Sequence, residues 1–109
     1  MILIVDDCEI NRTLLIMYCK ELGLNCIEAT NGLEAVNKMR NEIKLVFMGI
    51  MMPILCGIEA TFKIKAKYNV PVIAQTGKTL EPREKQIFDD VLYKPFTYDE
   101  FNQIITKYL

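Results

Sequence analysis

Three stretches of this chain carry no polar side chain at all: Ile2-Leu3-Ile4-Val5, Leu45-Val46-Phe47-Met48 and Val70-Pro71-Val72-Ile73-Ala74. A strand with one wet face alternates apolar and polar residues. These do not alternate, so each reads as a strand buried on both faces. Sheets of that kind are parallel, because crossover helices must cover both sides. Pro71 near the start of its run is compatible with a strand, since its missing N–H falls at the beginning of the ladder.

Helical patterns stand between the runs. Leu14, Leu15, Tyr18 and Leu22 share one face of a first helix, with Arg12, Thr13 and Lys20 opposite, and Gly23 stops it. Asn25 to Ala29 is a weaker strand with polar ends, suited to a sheet edge. Asn31 caps a second helix with Glu34 as its capping-box partner, and Leu33, Val36 and Met39 are expected to point inward. A third helix is expected from about Ile58 to Tyr68. The polar segment 77–90, with Gly77 and Pro82, leaves room for little more than two turns of a fourth. Val91-Leu92-Tyr93 is a last short strand. Thr97 and Glu100 form a capping box for the final helix, whose Tyr98, Phe101, Ile104, Ile105 and Tyr108 line one face. Strands alternating with helices over residues 1–109 give one α/β domain, long enough for a single core.

In such a sheet the carboxyl ends of all strands meet at one rim, where open α/β folds keep their chemistry. That rim collects Asp6, Asp7, Gly49, Thr76 and Lys94. Adjacent carboxylates suit a hard cation such as Mg²⁺, and a hydroxyl with an ammonium suits a phosphoryl group. Together they have the makings of a phosphoryl-transfer site without a nucleophile. Gly49 contributes no side chain.

Composition excludes other classes. Net charge is −1, and apart from Lys63, Lys65 and Lys67 the basic residues are scattered, so no nucleic-acid footprint is expected. Those three lysines read as a solvated helix side. Cys8, Cys19, Cys26 and Cys56 form no CxxC pair and there is no histidine, so a zinc site is not expected. No apolar run approaches the ~20 residues of a membrane span, and no basic n-region marks a secretory signal. A cytoplasmic location with reduced cysteines is the expectation.

Several pieces in order then match a family. Asp6-Asp7 follows the first strand, Asn11-Arg12 lies in the first helix, and Asn31-Gly32-Leu33-Glu34-Ala35 opens the second. Met52-Pro53 and Gly57 follow the third strand, Thr76-Gly77 the fourth, and Lys94-Pro95 the fifth. Over essentially its whole length the chain resembles the receiver domain of two-component response regulators, in the form attached to or partnered with hybrid histidine kinases.

The resemblance implies a doubly wound, flavodoxin-like five-stranded parallel sheet of order 2-1-3-4-5 with helices on both faces. It puts Gly49 where the family keeps its phosphoacceptor aspartate. Asp6 and Asp7 match the metal-binding acids, Met51 the position whose backbone carbonyl joins them, Thr76 the switch hydroxyl and Lys94 the phosphate-binding lysine. Val91 falls on the aromatic switch position. The 18 positions from Thr76 to Lys94 imply a shortened fourth helix. The implied function is a phosphorylation-independent pseudo-receiver, a protein-interaction module rather than an enzyme, with no cofactor beyond weakly held Mg²⁺. Lys94 is expected to pair with the rim acids. The competing readings are phosphorylation at an atypical residue, with Cys8 or Cys56 as a substitute nucleophile at the rim, and an engineered variant stripped of its aspartate. The implied partners are a histidine kinase, a histidine phosphotransfer protein or another receiver, not nucleic acid or membrane. Ile16 and Met17, which widen the apolar stripe of the first helix, are the expected contact patch.

Overall fold

The computed structural model describes residues 1–109. Strands β1 (Ile2–Val5), β2 (Cys26–Ala29), β3 (Leu45–Gly49), β4 (Val72–Thr76) and β5 (Asp90–Tyr93) form one parallel sheet of order β2-β1-β3-β4-β5. Between and after them run α1 (Glu9–Glu21), α2 (Gly32–Lys38), α3 (Gly57–Lys65), α4 (Pro82–Ile87) and α5 (Tyr98–Tyr108). The apolar runs predict a parallel sheet covered on both faces, and the strand order is the doubly wound one that the family resemblance implies.

The three apolar runs serve two cores at once. Leu3, Val5, Val46, Met48, Val72 and Ala74 pack with Ala35 of α2, with Met39 just past its end, and with Ala60 and Ile64 of α3. Ile2, Ile4, Leu45, Phe47 and Ile73 face the other way, onto Leu15 and Cys19 of α1 and Phe101, Ile104 and Ile105 of α5. Every second residue thus serves a different layer, which is why polar alternation is missing. Phe47 stacks on Phe101 with ring centroids 5.2 Å apart, so β3 and α5 meet at the centre of the second layer. No helix is long and apolar enough to cross a membrane.

Some expectations shift. β4 begins at Val72, not Val70: the Pro71 carbonyl accepts from Val46 N–H at 3.0 Å, but the ladder proper starts one residue later. α3 ends at Lys65, short of Tyr68, whose hydroxyl instead donates to the Met39 carbonyl. Leu33 does not point inward. It is 48% exposed, because Ala35 and Met39, one turn apart, define the buried line of α2 and Leu33 falls nearly opposite Ala35. α4 has six residues and buries none of them; Glu81 and Glu84 form its capping box.

Candidate functional site

Because the strands run the same way, the carboxyl ends of β1, β3, β4 and β5 border one open cleft of about 300 Å³. β1 delivers Asp6 into it. The residue is held in place by its own N–H, which donates to the Ala29 carbonyl, and by Arg12, whose Nη1 donates to the Asp6 carbonyl at 2.8 Å. Asp6 is 2% exposed, and both carboxylate oxygens are taken. The Cys8 N–H donates to Oδ1 at 2.9 Å and the Lys94 ammonium to Oδ2 at 2.8 Å. A buried carboxylate is tolerable on those terms, with a counter-charge and a hydrogen bond on each oxygen. Asp7, next to it, is exposed.

At the middle of the cleft floor β3 ends in Gly49, buried and bare. The β3–α3 loop closes against its backbone. Gly57 N–H donates to the Ile50 carbonyl at 2.8 Å, and a Cβ at Gly57 would collide with the Gly49 carbonyl, so only glycine permits this approach. Beside Gly49 in register stands Gln75 of β4. Its Nε2 donates to the Val5 carbonyl at 2.8 Å, while its Oε1 is buried without a partner.

The far wall is basic and polar. Thr76 Oγ1 accepts from the Lys78 N–H at 3.1 Å, and the Thr76 carbonyl accepts from the Lys94 N–H at 2.8 Å, which fixes the base of the lysine. Lys78 Nζ reaches the Met51 sulfur at 3.4 Å across the cleft mouth. The cleft therefore holds two carboxylates and two ammonium groups, with Asp6 and Lys94 already neutralising each other. Measured against a divalent cation the donor set is short. Asp6 is committed, and no cluster of three acidic or thiol side chains exists to hold an ion.

Comparison with known proteins now decides the family. Residues 2–106 match the family model of the response regulator receiver domain. The chain belongs to the response regulator receiver family. It is 34% identical over 114 residues to the autoinducer 1 sensor kinase/phosphatase LuxN of Vibrio campbellii, covering 99% of this chain but 13% of that protein. It is similar to the receiver domain of the sensor histidine kinase PA1611 from Pseudomonas aeruginosa, a structure with a magnesium ion in its active-site cleft. That likeness has TM-score 0.89 and 30% identity, over 98% of this chain and 94% of the other. The Ssk1 receiver domain of Saccharomyces cerevisiae, solved with the phosphotransfer protein Ypd1, is likewise similar. There the TM-score is 0.89 and the identity 27%, over 98% of this chain and 86% of that one. The chain thus spans about an eighth of the full-length kinase it matches.

In this receiver domain Asp6, Asp7, Gly49, Met51, Thr76 and Lys94 all border one cleft. Val91 does not: it stands half-buried in register with Ala74 and packs into the α2–α3 layer. Cys8 and Cys56 are not among the residues that border the cleft. On α1 the two residues of the expected contact patch differ in exposure. Met17 is 58% exposed, whereas Ile16 is partly buried against the α1–α5 core. The exposed companion of Met17 is Ile10, 79% exposed and seven residues earlier, two turns along the same face. Sequence reasoning also passed over Gln75 and Lys78. The signal for Gln75 was a lone amide after the apolar Val72-Ile73-Ala74 run, one residue before the end of β4.

Buried and paired titratable groups elsewhere are structural. Burial pushes the Cys19 thiol up to about 12 and that of its neighbour Cys26 upward as well. Hydrogen bonds from Lys38 and Thr30 hold Glu34, at the start of α2, down at about 2.

Proposed function

We propose that this receiver domain works without aspartyl phosphorylation, as a docking module of a two-component or phosphorelay system. The observation that carries the reading is Gly49, bare at the carboxyl end of β3 opposite Asp6. Glycine has no oxygen to attack phosphorus, and the nearest carboxylate, Asp6, has both oxygens engaged. Catalysis by this family's chemistry is therefore not its role. Val91, with no ring to swing, and the six-residue α4 support the same conclusion, since neither can relay a change at the rim to the opposite face.

The module would engage a histidine kinase, a histidine phosphotransfer protein or another receiver, through the outer face of α1. The similar Ssk1 receiver was solved in complex with a histidine phosphotransfer protein, and LuxN is a sensor kinase. Four free cysteines, two of them with thiols held protonated by burial, suit the reducing cytoplasm. Mg²⁺ would be held weakly, through Asp7 and the Met51 carbonyl.

The test is incubation with acetyl phosphate and Mg²⁺ followed by intact-mass measurement. The unmodified mass is expected. A gain of one phosphoryl group, removed by hydroxylamine, would overturn the reading in favour of phosphorylation at an atypical residue.

A further inference from the structure

Gly49 does not stand alone. Its register neighbour Gln75 is 1% exposed, and both belong to the strand face that carries Phe47 and Ile73 two residues earlier. Since β3 lies between β4 and β1, the amide of Gln75 must cross over β3 at the level of Gly49 to reach the Val5 carbonyl at 2.8 Å. A Cβ built on Gly49 would sit 3.2 Å from that same oxygen. A side chain at position 49 and the amide at position 75 thus both approach the Val5 carbonyl oxygen. The oxygen of the amide, Oε1, is buried with no donor. An apolar residue would fill a strand end without leaving an acceptor unsatisfied. The core alone does not account for glutamine here.

We propose that Gln75 closes the phosphoacceptor position from the neighbouring strand, so that the Gly49–Gln75 pair, and not the missing aspartate alone, makes the site refuse a phosphoryl group. The inference rests on the phosphorylation-independent reading and deepens it. Restoring a carboxylate at position 49 would set it against an amide already bonded to Val5. It would be displaced from the line of attack. Gln75 acts here as a positioning residue, since it touches no substrate.

The experiment compares the unmodified chain, G49D, Q75A and the double variants G49D/Q75A and G49D/Q75S, each with acetyl phosphate and Mg²⁺. In the transfer the introduced carboxylate oxygen bonds to phosphorus while the bond from phosphorus to the acetyl oxygen breaks. Acetate leaves with that electron pair, and no proton moves. Thermal melting of each variant establishes that it is folded, and a second residue at 75 guards against loss of one double variant. The double variants are expected to gain a hydroxylamine-labile phosphoryl group about a hundredfold faster than G49D, the usual cost of misplacing a reacting group by ~1 Å. Labelling of G49D at the rate of the doubles overturns the proposal. So does the absence of labelling in a folded double variant. Labelling of the unmodified chain would instead overturn the functional reading beneath it.

Discussion

Lys94 Nζ donates to Asp6 Oδ2 at 2.8 Å, joining residues 88 positions apart in the chain at the floor of the cleft. The two ends of the bond differ. The Asp6 side chain is 3% exposed while that of Lys94 is 27% exposed, so the carboxylate is far more dependent on the bond than the ammonium. Removing one partner of a buried pair strands the other in a medium that cannot solvate it.

Lys94→Ala should therefore destabilise the fold by about 1–3 kcal/mol, below the ~3–5 kcal/mol of a fully buried pair because the lysine is partly in water. The same change frees Asp6 Oδ2 beside Asp7. Titration calorimetry is expected to record tighter Mg²⁺ binding by the variant than by the unmodified chain, while denaturant melts record the lost stability. Equal Mg²⁺ affinity in the two proteins would mean that Lys94 does not compete for the acid.

Glu34 is a surface group with a distinct pH signature. Lys38 one turn later and the Thr30 hydroxyl hold its carboxyl down at about 2, against an ordinary value of 4.5. A depressed carboxylate contributes stability that is fully present above the ordinary value and disappears as pH falls through the depressed one. The window is thus from about 4.5 down to about 2. The pair is solvent-exposed, so the amplitude is small, ~0.3–0.5 kcal/mol. Glu34→Gln should remove that portion of the acid limb and leave stability at neutral pH lower by a similar amount, read from urea midpoints at several pH values.

Cys19 should resist alkylation. It is fully buried in the α1–α5 layer, and burial holds its thiol near 12, whereas Cys8 is exposed. The thiolate is the reacting form, so iodoacetamide at pH 8 should modify Cys8 and leave Cys19 intact until the chain unfolds. Peptide mapping with and without urea measures this. The raised thiol also contributes stability that is present below its ordinary value of 9.0 and is lost as pH rises from there toward 12.

The sheet was readable because burial on both faces leaves an unmistakable run of apolar residues, and Thr97 with Glu100 forms the full capping box its spacing announced. Asn31, by contrast, caps α2 through the Glu34 N–H while the Glu34 carboxylate turns to Thr30 and Lys38. The rim followed from the parallel order alone. Leu33 was misread because an apolar residue at a helix start was counted toward the stripe before the buried line of Ala35 and Met39 was known. Ile16 is less free than the stripe suggested, because it is partly buried against the α1–α5 core, a packing between elements that helix periodicity does not show. Gln75 could be located but not interpreted, since its role depends on a carbonyl 70 positions away. Local periodicity carries no information on such pairs.

Ile10 and Met17 give the last and most direct test of the docking role. Both side chains stand in solvent on one face of α1, with Leu14 half-buried between them, and neither belongs to a core cluster. A charged residue at either position should cost under ~0.5 kcal/mol, as surface changes do. At a protein interface the same charge would be desolvated, which costs several kcal/mol when it is unpaired. Ile10→Glu with Met17→Glu should thus keep the melting temperature while abolishing capture of a histidine phosphotransfer protein, measured by surface plasmon resonance. Ile16→Glu is the contrasting case, because it forces a carboxylate against the α5-side core and should unfold the domain or destabilise it by ~2 kcal/mol or more. Undiminished binding by the folded double variant would move the docking face away from α1.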